Sequence, residues 1–451
     1  MEAILEHTSA PGVSGLALFR MMPEFKRNTL QTFVNLADRY GEIVCFRGLW
    51  TSFMLTDAQH VEYVLQTNSR NYRKGKNYKE VAAATGNGLF VSEGDVWLRQ
   101  RRLAQPALNR HKIASFAKVM TDSCEAMLER WQPLAERGVP VEVDEEMLRL
   151  TLGIVGKALF SRDLSDEADT LSASFEVIRQ HTTNRIMSVV KFPASFPTAQ
   201  NSRFRQVVAN AEQIVYDLIN ERRHGRGNTD DLLSLLMATR DEETGEGLSD
   251  KELRDQAITI IGAGYETTTQ ALAWTWYLLA KHPEIENKLH VEISEVLRTR
   301  TPTFDDLPKL KYTLMVFQEA MRLYPPIWMM SRAAVETDEI GGYRVPANSE
   351  ILLLPYITHR SPKYWENPEE FNPEHFMPEK VTARPRFAYF PFGGGARQCI
   401  GNNFALMEAQ LIIATVAQKY RLRLTDEQPI KPETSVTLRL NKSLKMTLHQ
   451  V

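Results

Sequence analysis

The segment that most limits what this chain can fold into begins at Ser249. Ser249 and Glu252 form a capping-box pattern, apolar residues then recur at threes and fours to Ala280, and "KHPE" brings in Pro283. A Ser hydroxyl and a Glu carboxylate so spaced satisfy two backbone N–H groups at a helix start, and proline ends the run because it has no N–H to give. A helix of thirty-odd residues reaches roughly 45 Å, so the fold must be built around a rod that crosses it. The expectation is a mainly α protein with a smaller β-containing region. The 451 residues, 43% of them apolar, suffice for a large core. With no internal repeat, low-complexity tract or linker, residues 1–451 read as one domain with no further domain fused to it, β-rich at approximately 40–66 and 330–358.

Local patterns fill in the frame. "YGEIVCFRGLWTSFML" predicts two strands around a turn at Gly48, followed by a helix capped at Thr56 or Asp57. Helical spacing runs from Trp97 to about Arg240, and "KYTLMVFQEAMRLY" predicts a helix that Pro325 and Pro326 stop. "SVTLRLNKSLKMTLHQ" reads as strand near the end of the chain.

Lys plus Arg total 54 against 56 Asp plus Glu, a formal charge of −2, which gives no case for nucleic acid or an anionic surface as partner. The apolar runs "QALAWTWYLLA" and "ILLLPYI" fall short of the roughly 20 residues a membrane span needs. Glu2, Glu6 and Arg20 interrupt any signal-peptide pattern. Three cysteines without a CxxC pair fit a reducing, cytoplasmic setting, with Cys45 and Cys124 expected as buried small hydrophobes.

Cys399 differs. It lies in "FGGGARQCIG", residues 392–401, and the amphipathic pattern "NNFALMEAQLIIATVAQKY" follows directly. Three successive glycines are costly to order and imply backbone in close approach to something. A helix start just beyond a thiol favours the thiolate. A nucleophile would want a base in motif form and zinc would want several close ligands; neither is present. A single thiolate beside glycine-lined space suits one axial position on haem iron.

The same ten residues resemble the haem-binding signature of the cytochrome P450 family, matching at Phe392, Gly395, Arg397, Cys399 and Gly401. Three more segments resemble the family in its order. "AGYETT", with Ala263, Glu266 and Thr267, is similar to its oxygen-activation segment, and Gly262 and Gly264 beside it are expected to make room in the helix. "FQEAMRLYPP" carries an ExxR pair, Glu319 and Arg322, expected as a structural ion pair. "GDVWLRQRRLAQPAL" resembles the helix that meets the haem propionates. "NPEHF" departs from the family by placing His375 where an arginine usually joins the ExxR pair.

The resemblance implies the cytochrome P450 fold and a haem-thiolate monooxygenase of the soluble bacterial type. It would use haem b (iron protoporphyrin IX), dioxygen, and two electrons from a ferredoxin or flavodoxin with its NAD(P)H reductase. Cys399 is the implied iron ligand and Glu266 with Thr267 the implied acid–alcohol pair. Trp97, Arg101, Arg332, Phe392, Arg397 and Gly401 are the implied cofactor contacts. The substrate would be hydrophobic, such as a fatty acid, terpenoid, steroid or polyketide, hydroxylated or epoxidised in a pocket lined by Ala263, Ile327, Trp328, Met329 and Met330. A monomer is expected, docking its partner through exposed members of Arg99, Arg102, Arg110, Lys112 and Arg386. A non-catalytic haem-thiolate sensor and a peroxide-driven or isomerising enzyme are the alternatives.

Overall fold

Ile43–Arg47 and Thr51–Leu55 pair antiparallel across Gly48, Ile43 opposite Leu55 and Arg47 opposite Thr51, as the pattern predicts. Asp57 caps the helix Ala58–Glu62 by accepting the Gln59 N–H at 2.9 Å. This computed structural model describes residues 9–48, 50–164, 168–188, 196–225, 231–241, 243–426 and 429–451. The chain divides into two compact bodies. The first comprises residues up to Tyr78 with Arg322–Glu370 and Met377–Cys399; the second comprises Lys79–Met321, Phe371–Phe376 and Ile400–Val451.

The first body is organised on a six-stranded sheet in the order Gly12–Ser14, Ile43–Arg47, Thr51–Leu55, Glu350–Leu353, Met330–Ala334, Tyr72–Lys74. Its central pair, Thr51–Leu55 and Glu350–Leu353, runs parallel with Phe53 opposite Ile351, so two β segments nearly 300 residues apart share one layer. Phe53, Leu55, Leu65, Ile351, Leu353, Phe387 and Phe390 form one buried cluster beneath it. Each such side chain contributes roughly 1.5–3 kcal/mol of burial, which holds Phe387 and Phe390, just before the glycines, against the sheet.

The second body is mainly helical and carries the rod expected from sequence. Asp250–Lys281 is one helix whose capping box, Ser249 with Glu252, is formed. Beside it lies Val143–Phe160, with the Thr151 and Thr269 hydroxyls 2.8 Å apart between them. A Cβ at Gly264 would stand 3.2 Å from Val155 Cγ2, so this glycine serves the close approach of the two helices. At Gly262 the nearest atom to such a Cβ is on Phe175, at 3.8 Å, in ordinary contact. Packing against a neighbouring helix therefore accounts for Gly264 but not for Gly262.

The helix Asn402–Ala417 corrects another expectation. Its pattern reads as amphipathic, yet every residue from Met407 to Ala417 is buried. Ala117–Glu136, Asp250–Lys281 and Pro283–Leu297 all pack on it, which leaves no side for solvent. Glu408 is consequently taken inside, with no exposed surface.

Candidate functional site

The three glycines before Cys399 do three different things. Gly393 adopts φ 68°, a left-handed conformation unfavourable for other residues, with no close neighbour beyond Met330 at 4.0 Å. A Cβ on Gly394 would lie 2.2 Å from the Phe387 ring. At Gly395 both causes combine, φ 64° and a Cβ that would meet the Leu65 carbonyl oxygen at 2.0 Å. The close approach inferred from sequence is thus made to the chain's own Phe387 and to the helical turn Tyr63–Thr67. Beyond the glycines the loop closes on itself, the Cys399 N–H donating to the Phe392 carbonyl at 2.9 Å.

Exposure sorts the cysteines. Cys45 and Cys124 are buried and Cys399 is exposed. Burial pushes the Cys124 thiol up to about 12 and raises Cys45 as well, so both stay protonated. Cys399 is the accessible sulfur, three residues ahead of the helix Asn402–Ala417. Among the described residues no three His, Cys, Asp or Glu side chains converge as a metal-ligand set. One reachable soft donor outside any such set fits an iron whose remaining ligands a porphyrin supplies. Gly401, at the cap of that helix, would carry a Cβ into space with no protein atom within 4 Å.

A second fit appears on the long helix. Most of its residues between Leu253 and Leu279 are buried, but Ile260, Gly262, Ala263, Gly264, Glu266 and Thr267 keep some exposure, and Ile260, Ala263 and Thr267 among them share one open stripe at three-and-four spacing. The Thr267 hydroxyl lies on it and donates to the Ala263 carbonyl at 2.8 Å. Glu266 falls on the adjoining stripe, because successive helical residues diverge by about 100°. Its carboxylate accepts a hydrogen bond from the Thr437 hydroxyl at 2.8 Å. Burial, with the Glu266 charge adding to it, raises the Tyr265 phenol well above its ordinary range.

Arg322 is wholly buried on the helix Lys311–Leu323 and donates to three carbonyls, those of His359 (2.9 Å), Pro368 (2.6 Å) and Glu370 (2.9 Å). Its guanidinium also lies 4.9 Å from the Trp365 ring centre, which Arg384 approaches at 3.6 Å. Glu319, equally buried, accepts from the Asn372 N–H at 2.9 Å, with His375 Nδ1 at 3.0 Å. The histidine at the unusual position therefore still reaches the glutamate.

The structure adds a residue the sequence did not flag. His359 is completely buried, and its Nε2 accepts the Phe390 N–H at 2.9 Å, which fixes a neutral ring with the proton on Nδ1. Burial, reinforced by the charges of Arg322 and Arg360, drives its pKa well below the ordinary value. No motif marked it; its partner lies 31 residues away.

The remaining expected residues take separate positions. Trp97 and Arg101 are one turn apart on Gly94–Ala104, partly exposed. Arg332 is 7% exposed on the strand Met330–Ala334 and donates to the Ser331 carbonyl at 2.8 Å. Phe392 and Arg397 are partly buried in the cysteine loop. Trp328 packs 6.3 Å from Phe33 in an aromatic core cluster and Met330 is buried in the sheet layer, whereas Ile327 and Met329 keep some exposure. The expected partner-docking patch is reduced: Arg99 pairs with Glu252 at 2.7 Å, and Arg102 with Asp241 at 2.9 Å and Glu243 at 2.6 Å. Arg386 is exposed and bonds Gln66 at 3.3 Å, Lys112 lies 5.4 Å from the Phe116 ring, and the Arg110 side chain is outside the described residues. A groove of about 610 Å³ lined by Arg99, Arg223, Arg240, Ser249 and Glu252 marks the start of the long helix and contains none of Ala263, Glu266 or Thr267. No helix among the described residues is long and apolar enough to cross a membrane.

A mainly helical fold with small sheets, an accessible thiol in a glycine-braced loop and a buried ExxR helix together fit a haem enzyme. The family model described as Cytochrome P450 matches residues 11–448, and the chain belongs to that family. It is 38% identical over 436 residues to cyclooctatin synthase of Streptomyces melanosporofaciens, covering 96% of this chain and 93% of that one. To cyclooctat-9-en-7-ol 5-monooxygenase of the same organism it is 38% identical, over 81% of this chain and 80% of that one. To pentalenene oxygenase of Streptomyces avermitilis it is 32% identical, over 92% of each. The crystal structure of the cytochrome P450DA heme domain superposes with a TM-score of 0.86 at 27% identity, covering 94% of this chain and 93% of that one. The protein is a cytochrome P450 monooxygenase, and haem is its cofactor.

Proposed function

We propose that this monooxygenase acts on a terpenoid and that Cys399 is the axial thiolate of its haem b. The observation that carries the ligand assignment is the exposed sulfur in a loop braced by Gly393, Gly394 and Gly395, while the other two cysteines are buried and protonated. The substrate class rests on the terpenoid-modifying relatives, cyclooctatin synthase and pentalenene oxygenase among them. The family resemblance offers Ala263, Ile327 and Met329 for such a hydrocarbon, and each is apolar and keeps some exposure.

The haem, when bound, supplies the oxidising chemistry, and a thiolate ligand pushes electron density that favours O–O cleavage. Overall, one dioxygen, two electrons, two protons and a substrate C–H give an alcohol and water. This chain's residues handle the rest. Trp97, Arg101, Arg332 and Arg397 would hold the cofactor's carboxylates, arginine being suited by its permanent charge and forked donors. Thr267 offers a hydroxyl on the open stripe where dioxygen would be held, and Glu266 delivers protons from the adjoining stripe. A ferredoxin or flavodoxin with its reductase would supply the electrons.

The test is spectroscopic first. Haem-loaded protein, reduced and exposed to carbon monoxide, should show the Soret maximum characteristic of thiolate ligation, and Cys399→His should abolish it while haem stays bound. An unchanged maximum in that variant refutes the ligand assignment. Titrating pentalenene and related cyclic terpenes should shift the ferric spin state; a response confined to fatty acids or steroids refutes the substrate class.

A further inference from the structure

The sequence reading gave the C-terminal strands no role in chemistry. In the structure they form a hairpin, Pro432–Thr434 paired antiparallel with Leu438–Leu440, closed by a Ser435 N–H bond to the Thr437 carbonyl at 3.0 Å. Two side chains near its tip reach polar groups on two different helices. The Thr437 hydroxyl, on a residue only 2% exposed, donates to Glu266 Oε1 at 2.8 Å. Ser435 accepts from Arg179 on the helix Ala168–Met187 and lies 3.1 Å from the Thr183 hydroxyl.

A second tie keeps the hairpin in place. Arg439 donates to Glu176 at 2.8 Å, and Arg179 bonds the same carboxylate. Burial alone would raise the Glu176 carboxyl, but the bonds and charges of Arg179 and Arg439 hold it down at about 2, so it remains an anion between two cations. The hairpin is thereby anchored by Arg439, and the bond to the long helix's acid is made by a buried side chain. Without that donor the Glu266 carboxylate, one rotatable chain away from the helix, would have several rotamers open to it.

We propose that Thr437 is a positioning residue for proton delivery, its hydroxyl holding the Glu266 carboxylate in one orientation beside the open stripe of Ala263 and Thr267. The proposal rests on the reading of Glu266 as the proton source. It adds that a residue 171 positions away sets the aim of that acid. The step it serves takes a proton from solvent onto the Glu266 carboxylate and passes it to dioxygen as the redox partner's electrons reduce it, which regenerates the carboxylate.

Dioxygen reduction with electrons from a reductase needs delivered protons, whereas hydrogen peroxide brings both its electrons and its protons. In haem-loaded protein with an unaltered carbon monoxide spectrum, Thr437→Val should raise the peroxide released per NADPH by about threefold and enlarge the solvent isotope effect on NADPH use. Peroxide-driven oxidation of guaiacol should stay within about twofold of the parent, and Thr437→Ser should restore parental values. Glu266→Gln should divert electrons in the same way, and adding Thr437→Val to it should change nothing further. A double-mutant cycle on unfolding should show coupling of about tenfold between the two sites, as expected for a hydrogen bond to a charged group. If Thr437→Val leaves peroxide release and isotope effect at parental values while Glu266→Gln shifts both, the proposal is overturned and the acid assignment stands. If Glu266→Gln is itself silent, the acid assignment fails and the proposal with it. Equal loss in the guaiacol assay, or a cycle without coupling, also overturns it by making Thr437 merely structural.

Discussion

Glu408 offers a quantitative check on the interior of the second body. It is fully buried on Asn402–Ala417, and neither carboxyl oxygen has a hydrogen bond of normal geometry among the described residues. Burial pushes its pKa from an ordinary 4.5 up to about 8, against a smaller opposing pull from the Thr268 hydroxyl. Below the lower value both folded and unfolded chains carry the proton, and Glu408 costs nothing through ionisation. Above it the unfolded chain gains stability by ionising while the folded one keeps its proton, so folding stability falls until the folded group also titrates. At about 1.4 kcal/mol per unit, the cost is about 1 kcal/mol at pH near 5, about 3 at pH near 7 and about 4 at pH near 8. Glu408→Gln removes the charge option at constant shape. Urea unfolding of parent and variant, side by side in haem-loaded form, should therefore give an advantage to the variant that widens by about 3 kcal/mol between pH near 5 and pH near 8. A difference that stays flat across that range would mean the native carboxylate is ionised, and the reasoning from burial would be wrong.

The two ends of the cysteine loop should respond oppositely to the smallest substitution. Gly395→Ala meets both a left-handed φ and the Leu65 carbonyl, so it should cost several kcal/mol and prevent haem loading, read by thermal unfolding and pigment content. Gly401→Ala, at φ −91° with open space, should change the unfolding of haem-free protein by less than about 1 kcal/mol while lowering haem occupancy. Arg322→Met leaves three buried carbonyls without their donor and should destabilise by about 3–5 kcal/mol in urea unfolding. His359→Leu strands the Phe390 N–H, for which we expect a loss of about 1–3 kcal/mol and faster haem transfer to an apo-globin acceptor.

What could be read beforehand followed from local chemistry. The capping box at Ser249 and Glu252, the Gly48 hairpin and the proline stops are determined by neighbours in the chain, and they stand where the patterns put them. The cysteine loop was legible because its residues are contiguous. His359 and Thr437 were not, since each works through one hydrogen bond to a partner 31 or 171 positions distant, and such bonds leave no periodicity behind. The helix Asn402–Ala417 read as amphipathic for a related reason: a glutamate in a helical pattern suggests a wet face, and only the packing of three further helices takes that face away. Arg99 and Arg102 were offered as docking charges because their acidic partners lie 139 to 153 residues downstream.

The bracing of the cysteine loop by Phe387 and the Leu65 carbonyl has a practical corollary for anyone wishing to tune the sulfur's donor strength. Variation at Gly394 or Gly395 would collide with the scaffold before it altered electronics. Ala396 is solvent-exposed and three residues upstream of Cys399, so libraries aimed at tuning the loop have their natural entry point there.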